Sequence, residues 1–143
     1  MGAEPWSVFT GYREDIEAAL FDLQQREFEA GRYRSFEPDD PAESIDEARE
    51  RGDADGTGSV LDMRGVAEVF SGYDDPDGPG LGFVAPLSHE QLIELYGTDK
   101  PTHAMVEKGH DLWERLDRGL GVYIVVYDGD TPSELFFAGY SFD

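Results

Sequence analysis

The chain is 143 residues long and sets 11 Lys and Arg against 32 Asp and Glu, a formal net charge of −21. With no Cys it can hold neither a disulfide framework nor a thiolate metal cluster, and at 39% hydrophobic and 13% aromatic it is too apolar for a disordered acidic tail. Such a charge repels phosphate backbones and anionic lipid, so neither direct nucleic-acid binding nor membrane binding is expected. The start lacks a basic segment followed by an apolar one, and no apolar run approaches about 18 residues, so a soluble cytoplasmic protein is expected. The length fits one domain over residues 1–143.

In chain order, Trp6 and Val8 alternate with Ser7 and predict a first strand over residues 5–10. A helix over 12–30 follows. Ile16, Ala19, Leu20 and Leu23 make one apolar stripe on it, and Phe21 and Phe28, seven apart, add a second. Two stripes imply burial on more than one side. Glu14 and Asp15 lie in the first turn, and Gly31 is the stop. After a turn-rich break at Glu37-Pro-Asp-Asp-Pro41, Ser44-Ile-Asp-Glu47 has the capping-box spacing and predicts a helix over 45–51. Residues 59–63 read as a strand and 66–70 as either strand or helix. Residues 73–82 read as a Gly- and Pro-rich loop, and 83–85 as a short strand.

Ser88-His-Glu-Gln91 is a second capping box, opening a helix through Tyr96 that stops at Gly97. Pro101 suits the first position of a fourth helix reaching about Arg118, with Met105, Leu112, Trp113 and Leu116 as its core face. Residues 121–127 and 134–142 form a hairpin, and both faces of its first strand are apolar, so that strand lies centrally or is covered on both sides. The order predicts an α+β fold with a mainly antiparallel sheet, about four helices and a C-terminal β-hairpin.

Two metal patterns arise. Asp53-Ala-Asp55-Gly56-Thr57-Gly58 matches a calcium loop at several positions, but its bidentate position is occupied by Arg64, so an acidic turn is expected. His103, Glu107, His110 and Glu114 recur at helical spacing and are candidate ligands, yet a solvated polar row is the commoner use of such a face. No metal is favoured and no cofactor is expected. Gly78-Pro-Gly80-Leu-Gly82 is a turn, since Pro79 lacks an N–H and the nearby acids repel phosphate. No nucleophile motif appears, so no catalytic residue is assigned.

The acidic segment is the feature that carries a functional expectation. Between Glu37 and Asp77 fourteen acids face three bases, which is −11 of the total. A docking surface for a basic partner follows, with Asp39, Asp40, Glu43, Asp46, Glu47, Glu50, Asp74, Asp75 and Asp77 as its charges. Tyr73, Tyr33 and Phe36 are its candidate anchors. The expected class is an acidic protein-binding module: an inhibitor or immunity-type protein, or a nucleic-acid mimic, acting on a toxin or nucleic-acid-binding protein. The alternative is a salt-adapted soluble domain with an unlocated, metal-assisted enzymatic site. Its motivation is the skewed base usage, in which only Lys100 and Lys108 are lysines.

The opening Trp6-Ser-Val-Phe-Thr-Gly-Tyr-Arg-Glu-Asp-Ile-Glu-Ala-Ala-Leu20 and the closing Glu134-Leu-Phe-Phe-Ala-Gly-Tyr-Ser-Phe-Asp143 resemble small bacterial proteins of unassigned function. The resemblance covers the first helix and the last hairpin, about a third of the chain. It implies a bacterial source and brings no activity, cofactor or site residue with it.

Overall fold

Strand β4, Leu120–Asp128, is the segment whose faces are both apolar, and it occupies the middle of a five-stranded sheet. A computed structural model of the chain describes residues 5–33, 39–51, 57–68, 82–116 and 119–141. In order these form β1 (Pro5–Gly11), α1 (Ile16–Glu29), α2 (Ile45–Arg51), a 3-10 turn (Val60–Asp62), β2 (Gly65–Val66) and β3 (Phe83–Pro86). Then come α3 (His89–Tyr96), α4 (His103–Lys108), α5 (Asp111–Glu114), β4 and β5 (Thr131–Tyr140). The strand order is β1-β5-β4-β3-β2.

The α+β class holds, but the sheet is mixed rather than mainly antiparallel. The pairings β1·β5 and β5·β4 are antiparallel, while β4·β3 and β3·β2 are parallel. The reason is the connection: α3, α4 and α5 carry the chain from β3 to β4, and a long helical crossover returns a strand parallel to its predecessor. The helix count also differs, with five α-helices among the described residues where four are expected. The predicted fourth helix divides at Gly109, whose backbone is extended (φ −70, ψ 126) and whose N–H bonds to Val106 O at 3.3 Å. A Cβ there would lie 3.0 Å from Tyr96 Cε1 and 3.2 Å from Met105 O, so this close approach suits glycine. The break also corrects the expected core face: Met105 is 43% exposed and Val106 is buried instead, while Leu112 and Leu116 are buried as expected.

Residues 59–63 are not a strand. Ser59 Oγ accepts the Leu61 N–H at 3.1 Å, and Asp62 N–H bonds to Ser59 O, which closes a 3-10 turn. Of residues 66–70, Val66 ends β2 and 69–70 lie outside the described residues. Helix α1 starts later than expected because Asp15 is its cap, accepting the Ala18 N–H at 3.0 Å. The hairpin turn is tighter than expected: Asp128 pairs with Thr131, leaving a two-residue loop in which Gly129 takes φ +65.

Each face of the sheet has its own core. On one, Val122, Ile124, Val126, Phe136 and Ala138 pack with Leu87, Val106, Leu112 and Leu116 from the α3–α5 side. On the other, Leu135, Phe137 and Val84 pack with Trp6, Ala19, Leu20, Leu23, Val60 and Met63. Each fully buried Leu or Phe contributes roughly 1.5–3 kcal/mol of transfer free energy. Among the described residues no helix is long and apolar enough to cross a membrane.

Candidate partner-binding surface

Helix α2 forms where the acidic segment carries its cap. Ser44 Oγ accepts the Glu47 N–H at 3.1 Å, and the Glu47 carboxylate accepts the Glu43 N–H at 3.1 Å, one residue earlier than a standard capping box. Asp46 and Glu47 occupy its first turn and Arg49 and Arg51 its last, the distribution the helix dipole favours. Only Ala48 is buried on it, so α2 needs polar ties to stay in place.

Arg49 supplies them. Its Nε donates to Leu61 O at 2.6 Å and its NH2 to Met63 O at 2.8 Å. Burial pushes this guanidinium below its ordinary pKa; Asp46 opposes the shift and neighbouring Arg64 adds to it. Helix α1 is tied to the same turn, because the buried amide of Gln24 donates to Val60 O at 3.0 Å and to Met63 O at 2.5 Å. Both helices are thus fixed relative to one another through a shared 3-10 turn.

Between them lies a cleft of about 340 Å³. Phe21, Phe28 and Ile45 supply its apolar surface, Glu43 and Asp46 its acids, and Arg49 and Arg64 its bases. Phe21 is 64% exposed, the most exposed large hydrophobic side chain among the described residues. Phe28 is stacked on Tyr33, with ring centroids 5.8 Å apart. The second apolar stripe of α1 is therefore not buried as expected; it lines this cleft.

Of the expected binding residues, Asp39, Asp40, Glu43, Asp46, Glu47 and Glu50 are described. The bridging guanidinium of Arg51 pairs with Asp40 at 3.6 Å and with Glu47, and Arg49 approaches Asp46 at 3.7 Å. Asp39, Glu43 and Glu50 are exposed and form no ion pair among the described residues. Six carboxylates against these two guanidiniums and the Arg64 of the cleft leave −3 on this surface. Tyr73, Asp74, Asp75, Asp77 and Phe36 lie outside the described residues, as do Asp53 and Asp55 of the calcium-like loop. Thr57, at the end of that loop, is buried. Thr57 donates its N–H and hydroxyl to Asp62 Oδ1 at 2.6 and 2.9 Å, and its hydroxyl lies 2.8 Å from Ser59 Oγ.

The histidine row does not assemble. His103 lies on α4, its Nδ1 3.0 Å from Glu134 and its Nε2 3.3 Å from Glu107, with its ring stacked on Phe9 at 4.0 Å. His110 instead caps α5, on the far side of the Gly109 break. Among the described residues no group of three or more His, Asp or Glu is arranged to hold a metal ion.

Phe21, Gln24, Arg49 and Arg64 were not expected at the site. The spacing of Phe21 and Phe28 was the available signal for an aromatic wall; no local pattern marks Gln24 or Arg49, whose partners are 36 and 12 residues away. Compared with family models, curated proteins and solved structures, the chain gives no match.

Proposed function

We propose that this is an acidic protein-binding module that docks on a basic protein partner through the α1–α2 cleft and the carboxylates of α2. The favoured form is a cytoplasmic inhibitor or immunity-type protein acting on a basic toxin or nucleic-acid-binding protein. The observation that carries the reading is the exposed ring of Phe21 beside the solvent-facing carboxylate of Glu43 on one cleft. An interface draws affinity from a few packed aromatic anchors, and its rim charges steer encounter and reject wrong partners. The cleft joins both kinds of group on a rigid base.

The test is capture of cationic proteins from a bacterial lysate by immobilised protein at low and high salt. Capture is expected to weaken steeply with ionic strength, and to fall in Phe21→Ala and in the combined Asp39→Asn/Asp40→Asn/Glu43→Gln/Asp46→Asn variant. Unchanged capture by the combined variant would sink the proposal. Folding stability that rises with salt, with no cationic protein captured, would favour the salt-adapted domain instead.

A further inference from the structure

Strand β1 is an edge of the sheet, pairing with β5 on one side and with no other strand among the described residues. The Tyr12 N–H donates to Ser133 O at 3.2 Å, which sets the alternation of the antiparallel ladder. Trp6, Val8 and Thr10 therefore bond toward β5, and the N–H groups of Ser7, Phe9 and Gly11 point outward. Edge strands are ordinarily blunted by charges, bulges, shortness or an internal proline. β1 has seven residues, no charged side chain and no bulge in its pairing, and its single proline, Pro5, stands at the start.

Two clefts flank this strand. One, of about 290 Å³, is lined by Pro5, Trp6, Ser7 and Val8 together with Glu27 and Arg32. Gly58, Ser59 and Val60 complete its wall, so it lies beside the strand on the side that carries α1 and the 3-10 turn. The second, of about 330 Å³, joins Thr10 to Arg13 of the segment between β1 and α1 and to Asp22 and Arg26 of α1. Their charges are unequally satisfied. Arg13 pairs with Asp22, and Arg32 with Glu27 at 2.7 Å. Arg26 donates to the Thr10 hydroxyl at 2.6 Å and has no carboxylate partner among the described residues.

We propose that the outer edge of β1 accepts an extended segment of a partner polypeptide as an added strand, with a Glu or Asp side chain of that segment paired to Arg26. Main-chain hydrogen bonds to Ser7, Phe9 and Gly11 supply affinity, and the two clefts receive alternate side chains, which supplies specificity. Clefts toward both ends of the strand favour a continuous segment over a chain end, so the anion is a side chain. Gln25 borders both this surface and the Phe21 cleft, but Thr10 and Arg26 line only this one and it takes the opposite charge, so Arg26→Gln and Phe21→Ala test the two surfaces separately.

The probe is a displayed library of random peptides of about ten residues, long enough to span the strand. Selected peptides are expected to carry an acidic residue at a fixed position and to slow amide exchange at Ser7, Phe9 and Gly11. They should lose about tenfold in affinity on Ser7→Pro, which removes one outward N–H while leaving the β5 ladder intact, and several-fold on Arg26→Gln. Phe21→Ala should leave their binding unchanged. Should Ser7→Pro fail to fold, amide exchange in the unaltered protein and the Arg26→Gln affinity decide the matter. Failure to select any peptide, equal binding to Arg26→Gln, or unprotected β1 amides would each overturn the proposal.

Discussion

On one face of the sheet, α1 and α2 are held to a 3-10 turn by a buried and a half-buried donor: the Gln24 amide and the Arg49 guanidinium converge on the carbonyls of Val60, Leu61 and Met63. On the other, α3, α4 and α5 lie against apolar and aromatic side chains, including Trp113 set edge-on to Tyr140 at 5.5 Å. The buried polar group that stands out there, the Tyr96 hydroxyl, has no hydrogen-bond partner among the described residues. Apolar packing is adaptable but says little about how two neighbouring helices are spaced. Hydrogen bonds to a shared turn fix that spacing, and the fixed side is the one that holds an open cleft with Phe21 exposed in it.

The contrast is tested most strongly by removing the donors. Gln24→Ala removes two buried hydrogen bonds and Arg49→Ala takes the side-chain donor from Leu61 O, and each should destabilise by about 1–3 kcal/mol in urea unfolding. Val60 O also accepts the Met63 N–H at 3.1 Å and Leu61 O takes its side-chain donor from Arg49, whereas Met63 O is served by both side chains and loses both only in the double variant. The double variant should therefore lose more than the sum of the singles, by about 0.5 kcal/mol or more. Strict additivity would mean that the shared turn does not couple the two helices.

Features within a few residues of each other were readable in advance. The Ser88–Gln91 box, with both reciprocal bonds made, and the Gly97 stop at φ +75 are where the spacing put them. Helix α2 has its expected span, and the doubly apolar strand is the central one. What was not readable depends on distant partners. The parallel pairing of β3 with β4 is set by a helical crossover, and the 3-10 turn is held by the Gln24 amide and the Arg49 guanidinium, 36 and 12 residues from the carbonyls they bind. The break at Gly109 answers to the ring of Tyr96. At the candidate site, the acids of α2 were legible as charge, whereas Phe21 was read as buried because periodicity identifies an apolar side chain without identifying what covers it.

Tyr96 inverts the first prediction. Burial pushes its phenol up to about 12, and its hydroxyl has no partner among the described residues. Tyr96→Phe removes an unsatisfied group and should raise stability near neutral pH by about 1 kcal/mol. A phenol whose pKa is higher folded than unfolded favours the folded state in its neutral form. That stability is complete below the unfolded value of about 10 and is lost as pH rises from there to about 12. Tyr96→Phe should flatten this alkaline loss but not abolish it, because burial also raises Tyr123 on the opposite face. A destabilised Tyr96→Phe protein would show that the hydroxyl has a partner in solution, and the two faces would then be less different than they look.

The smallest change in stability is expected at Phe21, and its smallness is the informative part. Leu23, two residues along the same helix, is 1% exposed, whereas Phe21 is 64% exposed. Truncating an exposed side chain away from caps and buried networks shifts stability by no more than about 0.5 kcal/mol. An anchor at the centre of an interface loses about 2 kcal/mol or more of binding free energy on the same truncation. Phe21→Ala should therefore melt like the unaltered protein yet bind a captured cationic partner about thirtyfold more weakly. If it instead unfolded as readily as Leu23→Ala, for which about 2–5 kcal/mol is expected, the ring would be acting as core. The polar-stitched face would then be closing the cleft over its aromatic wall rather than holding it open.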